Sequence, residues 1–140
     1  MSIADCIEKG HLVKIKPDEV LAKKELNEAA YDIEKAEKAI GEHDYKWSII
    51  KSYYAMFHAA RAVLFRLGYH EKRHYAIAVV LEELHKQGKV TLRTVDDFKS
   101  AVAAREDADY HYTYSQETAA YTLQIAAEFK SEMEQLAEEP

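Results

Sequence analysis

WSIIKSYYAMFHAARAVLFRL, residues 47–67, is the stretch whose reading decides the fold. Trp47, Ile50, Tyr54, Phe57, Arg61, Leu64 and Phe65 recur at steps of three and four, which stacks side chains on one helical face. Ser52, Ala55, Ala59 and Ala62 form a second row, small enough to let another helix backbone approach closely. A helix that is apolar on more than one face must be covered by neighbours on several sides. Asp44 is the expected N-cap and Gly68 the expected stop, giving about six turns. Lys51, His58, Arg61 and Arg66 interrupt the apolar run, so it is no membrane span. It reads as the central helix of a bundle.

The rest of the composition agrees with that choice. Four glycines and two prolines in 140 residues leave little material for turns, so few, long elements are expected. With 48% hydrophobic and 31% charged residues the chain has the balance of a soluble globular protein. The net charge of −6 argues against a broad electrostatic grip on nucleic acid, while leaving room for a local basic patch. Cys6 is the sole cysteine, so no internal disulfide forms and no zinc cluster is suggested. Residues 1–16 show no continuous apolar stretch of the kind a signal peptide needs, which places the protein in the cytoplasm with no membrane association.

Outward from the central helix, residues 1–16 read as an irregular or weakly helical lead-in, and 17–140 as a single helical domain. Pro17, Asp18 and Glu19 suit a first helical turn. Ala22, Leu26, Ala29, Ile33, Ala36 and Ile40 then form a stripe of roughly seven turns that ends near Gly41. The short link from Gly41 to Asp44 makes the two long helices antiparallel. After Gly68 comes a shorter helix with Ile77, Val80, Leu81 and Leu84 facing inward, stopping at Gln87-Gly88. His70 and His74 have an i, i+4 spacing, but His70 follows the stop glycine too closely to share that helix, and no metal site is assigned. Arg73 and His74, near the helix start, could contact an anion. Thr94, Asp96 and Asp97 begin a fourth helix with Val95, Phe98, Ala101 and Val102 inside. Ser115-Gln116-Glu117-Thr118 begins the last, with a stripe through Thr122, Ile125, Phe129, Met133 and Leu136. No segment alternates well enough to predict a strand. The expected fold is all-α, an up-and-down bundle of four main helices plus a shorter one.

Chemistry concentrates in Ala104-Arg105-Glu106-Asp107-Ala108-Asp109-Tyr110-His111-Tyr112-Thr113-Tyr114. Arg105 continues the inward series 98, 102, 105, so a permanent cation turns toward the core or an interface and needs a partner. Asp109, about 40° away around the helix, can supply it. Tyr112 returns to within about 20° of Arg105 if the helix persists that far, whereas His111 points about 120° away. His111 meets Arg105 only if the helix ends near Tyr110, or across a dimer. Two readings follow from these residues. In one, an Arg105–Asp109 ion pair locks the helix end. In the other, Arg105 holds a phosphate and His111 moves a proton near neutral pH.

SYYAMFHAARAVLF at 52–65, RHYAI at 73–77 and AREDADY at 104–110 together resemble the HEPN domain (higher eukaryotes and prokaryotes nucleotide-binding), in its small stand-alone prokaryotic form. The resemblance covers most of residues 18–136. It implies a bundle of four to five helices that pairs into a homodimer. It also implies a metal-independent endoribonuclease with an R-x(4–6)-H motif at the dimer cleft, needing no cofactor, and a toxin paired with a nucleotidyltransferase antitoxin. Carried onto this sequence, the catalytic pair would be Arg105 and His111, supported toward RNA or nucleotide by Asp109, Tyr110 and Tyr112. Two departures matter. The tyrosine often found two residues after the histidine is Thr113 here, and a four-residue gap puts Tyr110 at the histidine position. R-x-x-A-D-Y could therefore be the retained motif, making Arg105, Asp109 and Tyr110 a structural or nucleotide-contacting set in a non-catalytic module that docks on a nucleotidyltransferase.

Overall fold

A computed structural model describes residues 1–139; Pro140, the last residue of the expected 17–140 domain, lies outside it. The elements run α1 (Ile3–Glu8), β1 (Leu12–Lys14), α2 (Glu19–Gly41), α3 (Tyr45–Leu67), β2 (Tyr69–Glu71), α4 (Tyr75–Lys86), α5 (Leu92–Tyr110) and α6 (Gln116–Glu138). With 76% of the chain helical, the all-α expectation holds, and α2, α3, α5 and α6 are the four long helices with α4 the shorter one.

The helix ends follow from side chains that satisfy otherwise unpaired backbone groups. Asp18, Asp44 and Ser115 cap α2, α3 and α6 by accepting from Leu21, Trp47 and Thr118 N–H groups. The α5 cap is Thr91, three residues before the expected Thr94, because the Thr91 hydroxyl takes the Thr94 N–H. Gly68 ends α3 at φ +93°. A Cβ there would sit 2.9 Å from the Ile15 carbonyl oxygen, so this position requires glycine on space as well as on backbone angle.

Helix α3 is the middle of the structure: it packs on α2, α6 and α5, and more than half of its 23 residues are buried. Its apolar side chains Met56, Leu64, Ala59 and Val63 join Ile77, Leu81, Phe98, Ile125, Phe129 and Met133 in the main core. Trp47 departs from the expected inward stripe. It is half exposed, lying over a surface groove beside Lys35, Lys38 and Ala39 of α2, while its neighbours Ser48 and Ile49 take the buried side of the same turn.

Residues 1–16, expected as an irregular or weakly helical lead-in, form a short capped helix and, unexpectedly, a strand. Ser2 and Asp5 close a capping box on α1. β1 pairs antiparallel with β2 in the register Leu12 to Glu71, Val13 to His70 and Lys14 to Tyr69. Cys6 and Leu12 are buried in the main core beside α3 and α4. His70 lies in β2 and His74 at the α4 N-cap, so the two histidines are in different elements.

β2 carries the feature that ties the strands to α3. Arg61 Nε and Nη2 donate to the two oxygens of Glu71 at 2.9 and 2.7 Å, and Nη1 reaches Glu25 of α2 at 3.4 Å. Glu25 also meets His58, whose other nitrogen lies 3.6 Å from Asp32. Donating to the Glu71 carboxylate holds the Arg61 guanidinium firmly in its charged form, while burial raises the Asp32 pKa. Arg61→Ala should destabilise the protein by about 2–3 kcal/mol, since it strands a buried Glu71 carboxylate. The urea midpoint should fall with little change in slope, and Arg61→Ala with Glu71→Ala should cost less than the sum of the single variants.

Candidate functional site

Arg105 sits one turn before the end of α5, on the side facing α3. Its side chain is 20% exposed and its Nη2 lies 3.3 Å from the Asp109 carboxylate, the ion pair expected from the i, i+4 spacing. The same nitrogen donates to the Tyr54 hydroxyl at 3.3 Å. The guanidinium carbon stands 5.7 Å from the ring centres of both Tyr53 and Tyr54 and 5.2 Å from that of Tyr110. Three aromatic rings thus surround one cation, which favours its charge electrostatically. Burial works against that charge; Tyr54, Tyr110 and Asp109 outweigh it, and the Arg105 pKa lies above its ordinary value. Its Nε is buried with no hydrogen-bond partner among the described residues.

Beside this cation lies a cavity of about 300 Å³ between α3, the start of α4 and α5. Tyr53, His74, Phe98 and Arg105 are among its lining residues. Tyr53 is buried, and burial pushes its phenol pKa up to about 12, so it keeps its O–H at neutral pH. Its hydroxyl is 3.3 Å from His74 Nδ1.

His111 is placed differently. Helix α5 does end at Tyr110, yet the imidazole folds back on its own helix, with Nδ1 3.1 Å from Asp107. Its side chain is 68% exposed. The carbonyl of Asp107 accepts from both His111 and Thr113 N–H groups, which closes the turn. Tyr112 occupies the left-handed region at φ 55°, exposed, with Lys46 Nζ 5.6 Å from its ring centre. Tyr112 therefore does not return toward Arg105, because the helix stops two residues before it. Within one chain the structure gathers Arg105, Asp109 and Tyr110, and leaves His111 and Tyr112 on the surface beyond them.

Tyr53 and Tyr54 complete the surroundings of Arg105, and the sequence signal for them was their place in the buried stretch 47–67. His74 was visible only as a residue near a helix start. A local basic patch could draw on Lys51, Arg61, Arg66, Lys72 and Arg73. Of these, Arg61 is bound to Glu71 and Glu25, Arg66 lies 3.5 Å from Glu19 and Lys51 3.9 Å from Asp32. Lys72 and Arg73 are exposed with no ion pair among the described residues. Of those pairs, Arg61 with Glu71 is the one that is both short and sealed; Arg66 meets an exposed carboxylate, and Lys51 reaches Asp32 from the solvent side.

Residues 22–136 match the family model described as HEPN domain. No curated protein matches the chain. None of the described helices is long and apolar enough to cross a membrane.

The two readings of the Arg105–Asp109 pair differ in what its loss should do. Asp109 is 34% exposed, so solvent weakens the pair. Asp109→Asn should cost less than about 1 kcal/mol in a thermal melt, the range for partly exposed ion pairs. A loss of several kcal/mol would instead identify the pair as the lock of the helix end.

Proposed function

We propose that this chain, which belongs to the HEPN domain family, is a homodimeric, metal-independent endoribonuclease acting on cytoplasmic RNA through Arg105 and His111. The observation that carries this reading is the Arg105 guanidinium. It is kept charged among three tyrosine rings with a single carboxylate partner, and it borders a cavity of about 300 Å³. A preorganised cation of that kind is suited to charge that develops on a phosphate during reaction. Guanidinium geometry also matches phosphate oxygens in a bidentate way.

The reaction class follows from the groups present. The RNA 2′-oxygen attacks the adjacent phosphorus, a 2′-O–P bond forms, and the bond from phosphorus to the 5′-oxygen breaks. The products are a 2′,3′-cyclic phosphate and a free 5′-hydroxyl. Arg105 stabilises the extra negative charge in the transition state, and His111 transfers a proton at the 2′- or 5′-oxygen. Since His111 turns to Asp107 in its own chain, a second copy is needed to bring a histidine of this helix end against Arg105. The exposed Tyr110, Tyr112 and Tyr114 provide aromatic surface at the same end for such a seam or for unstacked bases. A toxin role with a nucleotidyltransferase antitoxin as partner extends this reading.

A second reading is favoured by one observation. In the single chain both Arg105 and His111 already have carboxylate partners, Asp109 and Asp107. On that reading the protein is a non-catalytic module that binds nucleotide or a nucleotidyltransferase through Arg105, Asp109 and Tyr110.

Cleavage of a mixed RNA pool in EDTA separates the two. Wild type should cut, and folded, dimeric Arg105→Ala and His111→Ala should each lose roughly 10²-fold or more in rate. Intact RNA with wild type, or cleavage by His111→Ala at the wild-type rate, would remove the nuclease assignment and leave the binding module.

A further inference from the structure

The cavity beside Arg105 holds a histidine of the same chain, and it is not His111. His74, at the N-cap of α4, shares the cavity lining with Arg105. Tyr53 touches both: its hydroxyl is 3.3 Å from His74 Nδ1, and its ring centre is 5.7 Å from the Arg105 guanidinium carbon. The His74 ring is also backed by Phe57, with ring centres 4.7 Å apart. One face and one nitrogen of the imidazole are therefore fixed by protein. Nε2 has no hydrogen-bond partner among the described residues, and His74 is exposed rather than sealed in the core. A histidine with Nδ1 anchored and Nε2 open is the arrangement in which the second nitrogen can exchange a proton with a ligand.

We propose that His74 and Arg105 of one chain face the same phosphate, making His74 a substrate-facing histidine in addition to His111. This rests on the nuclease reading for its chemistry. Attack by a 2′-hydroxyl needs two proton transfers: one base takes the 2′-proton as the new O–P bond forms, and one acid protonates the 5′-oxygen as its bond to phosphorus breaks. No net proton or electron is gained. The motif histidine can serve only one of these steps at a time, and His74 supplies the other. The un-ionised Tyr53 hydroxyl can accept from the Nδ1–H of His74 in either protonation state that retains that proton, which leaves Nε2 to cycle. The cavity's volume lies at the small end of ligand pockets, about 300–1,000 Å³, and Phe98 gives it an aromatic wall against which a base can lie. Around His74 the titratable and charged groups are Tyr53 from α3, Lys99, Arg105 and Glu106 from α5, and Arg73 and Tyr75 beside it in sequence. Lys99 is engaged by Glu82 at 2.7 Å, and Arg73 does not line the cavity, so Arg105 is the lining cation assigned to the phosphate even though Asp109 also contacts it.

The test uses the full-length protein and adenosine 3′-monophosphate as probe, with the seven histidine ring signals followed by NMR. His74→Gln assigns the His74 signal. The probe should move that signal in wild type, raise the pH at which it titrates, and leave it in place in Arg105→Ala. A His74 signal unmoved by saturating probe in wild type overturns the proposal, whatever RNA cleavage shows. Wherever wild type cuts RNA, His74→Gln should lower kcat about 10²-fold with KM nearly unchanged, and one limb of the bell-shaped pH profile of kcat/KM should disappear. Retention of both limbs overturns the proposal while the nuclease reading stands. A probe that moves His74 in a protein that leaves RNA intact ends the nuclease reading and supports the phosphate-facing assignment.

Discussion

A helix covered on nearly every side cannot leave its polar groups to water, and that constraint on α3 organises the rest of the protein. Buried polar groups are costly unless they find partners, and buried charges more so. Ser48 meets the demand locally, donating to the Ala36 carbonyl of α2 at 2.9 Å. Arg61 and His58 meet it by drawing Glu25 and Asp32 from α2 and Glu71 from β2. The ion pair with Glu71 fixes where the chain goes after Gly68, and strand pairing of β2 with β1 then fixes the N-terminal segment. One guanidinium on a sealed carboxylate, together with the buried Leu12, thus ties two three-residue strands to the bundle.

The same accounting sorts the cations by what they are free to do. Arg61 has a sealed carboxylate, Glu71, drawn from a neighbouring element, so it holds the fold, whereas Arg66 and Lys51 make solvent-facing contacts that are worth little. Arg105 differs in kind. Its carboxylate comes from its own helix, its remaining neighbours are phenol rings, and one of its nitrogens is buried without a partner. A charge held mainly by ring faces keeps more of its attraction for a further anion than one chelated by two carboxylates. The overall acidity of the chain is therefore no obstacle to one strongly placed positive site.

Most of the architecture was legible because long helices write themselves at short range. The three- and four-residue steps of 47–67, the caps at Asp44 and Ser115, and the left-handed Gly68 all act within a few residues. What escaped was non-local. β1 and β2 are three residues each, too short for alternation to register, and their pairing joins positions nearly sixty residues apart. Trp47 kept the helical period but falls on the solvent side of a turn whose Ser48 and Ile49 are buried, and period alone does not say where the cover of α2 stops. The site divides the same way. Arg105–Asp109 follows from a spacing on one helix, whereas Tyr53, Tyr54 and His74 reach Arg105 from other elements, and only packing reveals that meeting.

The end of α5 concentrates the remaining tension between fold and use. An L-residue in the left-handed region costs roughly 1–2 kcal/mol, and glycine or asparagine would occupy position 112 more cheaply. Tyrosine stands there instead, exposed and resting only against Lys46. The strain is held by the Asp107 carbonyl, which takes two N–H groups, and nothing in the core requires the ring. His43, in the link before α3, is exposed and left-handed too at φ 61°, so the backbone angle at Tyr112 is a feature of tight turns in this chain and assigns the ring no role by itself. The two residues differ in setting: Arg105 lies one turn inside the helix and donates to Tyr54 of α3, while His111 sits exposed just past the helix end with its imidazole beside Asp107. On the nuclease proposal, fixed charge is wanted where negative charge develops and a more mobile group where protons move, and Arg105 and His111 are the residues at the end of α5 that this proposal assigns to those two parts.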